Sequence, residues 1–134
     1  MRLVVARATS PHHIEILENE RAAVRLGHNA FTKRMLDEKT IARAVRAFRQ
    51  FRDAMDQHGV TAYRAVATAA AREARNSRKL LERIKRKTGI EVDVITGEEE
   101  AQLVCEAVFR ALGADLLPRV IFDLGGGSLE LNFF

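Results

Sequence analysis

The chain is poor in the residues that would commit it to several common designs. A single cysteine, Cys105, among 134 residues rules out an internal disulfide and a cysteine-based zinc site. Tryptophan is absent and aromatic residues make up only 6% of the chain, so the interleaved aromatics of a single-strand nucleic-acid platform are missing. There are two prolines, Pro11 and Pro118, and no low-complexity tract or flexible linker. No apolar run approaches the roughly 18–20 residues of a membrane span, and the charges near Met1 precede no signal-peptide core. A cytoplasmic setting without a membrane is expected.

What remains is an ordinary globular composition, 47% hydrophobic and 30% charged, in a length of about one domain by the prior of ~100–200 residues each. Disorder and a collagenous chain are excluded. The net charge of +4 conceals a division: residues 1–95 carry 20 Lys/Arg against 11 Asp/Glu, and residues 96–134 carry 2 against 7. The basic part favours a polyanionic partner, without selecting a nucleic acid.

Hydrophobic periodicity gives the order β-β-α-β-α-β-α-β-turn-β. Arg2–Arg7 reads as a strand. After the turn at Ser10-Pro11, residues 13–18 alternate, and residues 21–26 continue that strand towards Gly27, making a β-hairpin. From Asp37 to His58 the period becomes helical: Ile41, Ala44, Val45, Phe48, Phe51, Arg52 and Met55 form one stripe. Asp37 is the N-cap, Leu36 and Ile41 are spaced as a hydrophobic staple, and Gly59 ends the helix. A strand over 62–67, a small-residue stretch over 68–76, a helix over 77–88 closed by Gly89, and a strand over 91–95 follow. Then come a helix over 96–112, a strand over 119–124, and a glycine turn into residues 129–134. Strands alternating with helices predict an α/β fold with parallel strands, joined to the opening antiparallel hairpin. The expected division is 1–113 and 114–134.

Three places can hold chemistry. Asp123-Leu124-Gly125-Gly126-Gly127-Ser128 follows an apolar strand. Successive glycines let backbone N–H groups approach an anion, Ser128 adds a hydroxyl, and Asp123 suits a hydrated Mg²⁺. A glycine-rich hairpin with a capping aspartate is the plainer alternative. In Thr96-Gly97-Glu98-Glu99-Glu100, Thr96 and Glu99 have capping-box spacing and Glu98 turns to solvent. Glu100 falls on the face of Val104, Ala107 and Ala111, where a carboxylate needs either a cleft to serve or a partner such as arginine. Arg72, among small residues, suits a bidentate phosphate contact, or is an ordinary surface arginine. The basic run 78–87 reads as a solvated helix face, and the four histidines and Cys105 show no metal-site pattern.

Together, Ala67-Thr68 to Arg72 and Asn76, then Ile95-Thr96-Gly97-Glu98-Glu99-Glu100-Ala101, then Phe122-Asp123-Leu124-Gly125-Gly126-Gly127-Ser128-Leu129-Glu130 resemble the exopolyphosphatase / guanosine pentaphosphate phosphatase (Ppx/GppA) family. The resemblance runs through essentially the whole chain. It implies an actin-like lobe of the sugar kinase/Hsp70-like ATPase, ribonuclease H-like type, and hydrolysis of terminal phosphoanhydrides in inorganic polyphosphate or pppGpp with Mg²⁺. It assigns Glu100 as the base for the attacking water and Arg72 and Gly125 to Ser128 to substrate phosphate. Asp123 and Glu130 become the metal-associated acids, and a homodimer is an option for full-length members. The family opens with a strand ending in Asp-x-Gly-Ser-Asn-Ser, which Met1-Arg2-Leu3 would follow, and continues beyond the second loop. The chain is therefore expected to hold most of one lobe, less its first strand, and the start of a second. Weak or absent activity alone is expected, the alternative being a non-catalytic polyanion-binding or regulatory fragment. An ATPase or sugar kinase of the same superfold fits the Glu-Glu-Ala helix less well.

Overall fold

The computed structural model describes residues 1–10, 13–113, 118–125 and 129–134. Its elements are β1 (Arg2–Ser10), β2 (His13–Arg21), α1 (Gly27–Lys33), α2 (Glu38–Gln57), β3 (Val66–Ala67), α3 (Ala69–Glu73), α4 (Ser77–Thr88), β4 (Asp93–Val94), α5 (Gly97–Leu112), β5 (Val120–Leu124) and β6 (Leu129–Phe133). The fold is mixed α/β as expected. Its described strands form three separate pairs: antiparallel β1–β2, parallel β3–β4 and antiparallel β5–β6.

The core lies under α2 because that helix carries its apolar residues on one face. Ile41, Ala44, Val45, Phe51 and Met55 are buried and Phe48 is partly so, as the 3.6-residue period requires. Arg52 departs from the expected stripe, pairing outward with Asp56 one turn on. Asp37 caps α2, its carboxylate accepting from the Thr40 N–H at 2.6 Å, and Gly59 leaves the helix at φ 61°. α4 packs on α2 through Leu80 and Ile84, and Gly89 closes it with φ 72°.

Two expectations about the hairpin and its exit need correction. β2 stops at Arg21 instead of continuing to Leu26, and a seven-residue helix, α1, starts at Gly27. Arg25, at φ 56°, takes a left-handed conformation that ends any extended run. The strands expected over 62–67 and 91–95 are shorter, because the parallel ladder covers only Val66–Ala67 against Asp93–Val94.

Asn76 ties two loops together. Its side-chain amide accepts from the Leu36 N–H and donates to the Leu36 carbonyl, both at 2.8 Å, a side-chain imitation of a strand bridge. Beside it the Arg75 N–H donates to the Arg34 carbonyl. The entry to α2 is thereby fixed to the α3–α4 turn, and α3 carries Arg72.

α5 has its expected cap but a different inner face. Ala101, Val104, Cys105, Val108 and Phe109 are half-buried, whereas Ala107 and Ala111 are exposed, so the stripe is rotated from the one expected. Phe109 meets Phe134 edge to face, with ring centroids 5.1 Å apart. Residues 114–117, at the expected division, lie outside the described residues.

Candidate functional site

Thr96 determines where Glu100 begins its helix. With φ −70° and ψ 164°, it presents its hydroxyl to the Glu99 N–H at 3.1 Å, filling one of the orphan donors of the first turn. The reciprocal half of the capping box does not form, because the Glu99 carboxylate pairs with Arg64. Glu98 is exposed, as expected. One residue on, about 100° around the helix, Glu100 turns inward, and its side chain is only 16% exposed.

The partner that makes this burial tolerable is Arg72, in the last turn of α3. Its Nη1 donates to the Glu100 Oε2 at 2.8 Å and to the Ile95 carbonyl at 2.9 Å. Its Nη2 lies 3.9 Å from the Glu130 Oε1. A guanidinium held by three groups from β4–α5 and β6 is not an ordinary surface arginine. Charge-assisted bonds of this kind are short and orienting. Removing one member of a partly buried pair leaves the other uncompensated. Arg72 and Glu100 therefore specify each other's position.

Asp123 and Glu130 face each other across the β5–β6 ladder, so their side chains leave the hairpin on the same side, with Cβ atoms roughly 4.5–5.5 Å apart. Both are half-buried. Among the described residues, the Glu130 Oε2 is buried without a hydrogen-bond partner, as is the Asn132 Nδ2 two residues along the same face. A buried carboxylate oxygen without a donor is costly, and it is the kind of ligand a hard cation takes. Two carboxylates with the remaining positions filled by water or phosphate oxygen fit Mg²⁺. No group of three or more His, Cys, Asp or Glu is poised to hold a metal among the described residues.

Glu100 also borders an open cleft of about 670 Å³, together with Thr68 and Gly125. Thr68 precedes α3 without making a side-chain cap hydrogen bond. Gly125 is the one glycine of the loop among the described residues, and Gly126, Gly127 and Ser128 lie outside them. The structure thus brings Arg72, Glu100 and Glu130 together, puts Asp123 opposite Glu130, and sets Gly125 at the cleft beside Glu100. The sequence reading missed Asn132, whose signal is its two-residue spacing from Glu130. It also missed Arg21 and Arg25, which line the same cleft.

A mixed α/β scaffold presenting a braced carboxylate, a pair of facing acids and Gly125 at the edge of the cleft defines a candidate phosphate-processing protein. Residues 4–134 match the model of the Ppx/GppA phosphatase family, and the chain belongs to that family. It is 28% identical over 132 residues to exopolyphosphatase 1 of Mycobacterium tuberculosis, covering 98% of this chain and 38% of the relative. The structure superposes on an exopolyphosphatase from Cytophaga hutchinsonii with TM-score 0.92 and 32% identity, over 98% of this chain and 42% of that one. A Ppx/GppA phosphatase of Aquifex aeolicus gives TM-score 0.77 at 29% identity, over 99% and 44%. The chain spans about two fifths of the length of these relatives. No helix among the described residues is long and apolar enough to cross a membrane.

Proposed function

We propose that this chain carries the water-activating part of a site that hydrolyses terminal phosphoanhydride bonds, with inorganic polyphosphate or guanosine pentaphosphate as substrate. The observation that carries this reading is Glu100: an inward carboxylate, fixed through its Oε2 by Arg72 and bordering a cleft that also contains Gly125.

With Oε2 engaged, Oε1 is the oxygen available to accept a proton from a water and aim it at the terminal phosphorus. Arg72 keeps that carboxylate in one rotamer and, at the edge of the site, offers its remaining N–H groups to phosphate oxygen. Gly125, at the cleft, would contribute backbone N–H to the terminal phosphate. Asp123 and Glu130 would hold Mg²⁺, which supplies charge neutralisation on the phosphate oxygens. Because the chain spans about two fifths of the length of these relatives, the activity of these 134 residues by themselves is expected to be weak.

Phosphate release from polyphosphate with Mg²⁺, with and without Glu100→Gln, is the direct test. Loss of the general base should lower the rate by about 10²–10⁴-fold. Equal, measurable release by both proteins would remove Glu100 from the mechanism. A non-catalytic polyanion-binding role draws on the basic run of α4, but Arg83 pairs with Glu38 and Lys85 with Glu91, which reduces the charge that run presents.

A further inference from the structure

Asn132 takes no part in the hydrolysis proposed for Glu100, yet its placement is costly. Along β6 the apolar residues Leu129, Leu131 and Phe133 are 59%, 45% and 74% exposed, while Glu130 and Asn132 turn the other way and are half-buried. This inverts the usual apolar-in, polar-out alternation of a sheet with one covered face. Glu130 meets Arg72 on that side, its Oε1 lying 3.9 Å from the Arg72 Nη2. Asn132 stands opposite Ile121, which is 6% exposed, and an apolar side chain would fill its place without desolvating an amide.

The amide has a complement one pleat away. The two buried side-chain polar atoms without a partner among the described residues are the Asn132 Nδ2, a donor, and the Glu130 Oε2, an acceptor. Residues i and i+2 of a strand share a face about 6.5 Å apart. One water that accepts from an amide and donates to a carboxylate bridges about 5.5 Å, so side chains on neighbouring sites of one face are within its reach.

We infer that Asn132 is a positioning residue: its amide holds the Glu130 Oε2 across one water, which leaves Oε1 directed at Arg72, and Arg72 in turn holds Glu100. A polar relay then runs from Asn132 through Glu130 and Arg72 to the proposed general base, joining β6 to α5. Asn132 touches neither substrate nor reacting atoms; it acts through Glu130. Functional carboxylates are characteristically held by outer partners of this kind, which keep a reacting group within the narrow range of productive geometry. The relay rests on the phosphohydrolase reading for the role of Glu100, but not for its own existence.

The test is solution NMR of the full chain, which reads the relay without turnover. In the wild type the Asn132 side-chain amide protons should exchange with water at least about tenfold more slowly than those of Gln50, exposed on α2, as a hydrogen bond in a charge-assisted network implies. Glu130→Gln should shift the Asn132 amide signals. Asp123→Asn, diagonal to Asn132 across the ladder, should leave them nearly in place. The reciprocal variants are Asn132→Thr and Asn132→Val, alike in shape and different in one hydroxyl donor. Arg72 should keep separate Nη resonances in the wild type and in Asn132→Thr and lose them to averaging in Asn132→Val, with matching circular dichroism spectra in all three. That contrast separates a hydrogen bond from packing. Arg72 signals that are the same in the Thr and Val variants, Asn132 signals indifferent to Glu130→Gln or equally moved by Asp123→Asn, or an Asn132 amide that exchanges as fast as Gln50 would each overturn the relay. If Asn132→Val does not fold, the wild-type exchange rate and the response to Glu130→Gln decide the matter by themselves. Phosphate release by the wild type and Glu100→Gln reports separately on the phosphohydrolase reading, since an intact relay beside equal, measurable release would remove that reading and leave the relay standing.

Discussion

α2 and α5 are helices of comparable length, 20 and 16 residues, each started by a side-chain cap, yet they are held in opposite ways. α2 buries eight residues, whereas α5 has none that is fully buried. β5 and β6 resemble α5: Phe122, Leu124 and Phe133 are each more than two-thirds exposed. Stability is thus concentrated around α2 and α4, and Glu100 sits on the more loosely held side, joined to the firmer one by Arg72. Regions with few buried apolar contacts open at lower free energy than the core. The proposed catalytic carboxylate therefore depends on one ion pair for its position more than on packing around its helix.

The largest effect that separates the two regions should come from truncating one aliphatic side chain in each. Ile41 on α2 is fully buried, and Ile41→Ala should cost about 3–4 kcal/mol, the transfer term plus the cavity left behind. Leu103 on α5 is 39% exposed, and Leu103→Ala should cost about 0.5 kcal/mol or less. Urea unfolding of both variants measures the contrast. Similar losses would mean that α5 is as integral to the cooperative unit as α2.

A smaller effect is expected from the caps, and it should differ in reach more than in size. Asp37→Ala and Thr96→Ala each remove one side-chain acceptor for an N-terminal N–H, worth about 1 kcal/mol. At Asp37 the loss should appear in global stability, since α2 cannot fray without opening the core. At Thr96 it should appear locally, as roughly fivefold faster amide exchange in the first turns of α5 with little change in the unfolding midpoint. Unchanged exchange at residues 99–104 in Thr96→Ala would contradict this.

What could be read from the sequence follows the same division of causes. α4 has the limits expected of it, 77–88, and α2 and α5 start one residue after their expected caps. Those ends are set by local chemistry: a capping side chain at Asp37 and Thr96, a left-handed glycine at Gly89. α1 was not legible. It starts at a glycine, has no capping side chain at Leu26 and is seven residues long, and it is held by the complete burial of Ala30 rather than by propensity. The lengths of β3 and β4 were not legible either, because a strand extends only as far as its partner. At the site, the inward turn of Glu100 follows from helical period. Its pairing with Arg72, 28 residues earlier, and the approach of Glu130 from β6 are products of tertiary structure. Arg21 and Arg25 were hidden for another reason: residues 21–26 read as a continuation of the strand, whereas β2 ends at Arg21, Arg25 takes a left-handed backbone, and both line the cleft.

The smallest effect concerns acid. Glu38, in the first turn of α2, pairs with Lys79 and Arg83 of α4, and those hydrogen bonds, Lys79 first, hold its carboxyl below the ordinary carboxylate value. A folded-state pKa below the unfolded one means that the unfolded chain binds the proton more readily. The pair's contribution is therefore fully present above the unfolded carboxylate range, about pH 4–5, and is lost as pH falls through the folded value. Because Glu38 is exposed, salt should screen it. In α5, by contrast, Glu106 and Arg110 pair within one helix and link it to nothing else. Urea midpoints of wild type and Glu38→Gln should differ at about pH 7, and the gap should close towards about pH 3. Glu106→Gln should leave the midpoint almost unmoved throughout. A Glu38→Gln difference that persists undiminished in acid would show that packing, not charge, joins α2 to α4 at this point.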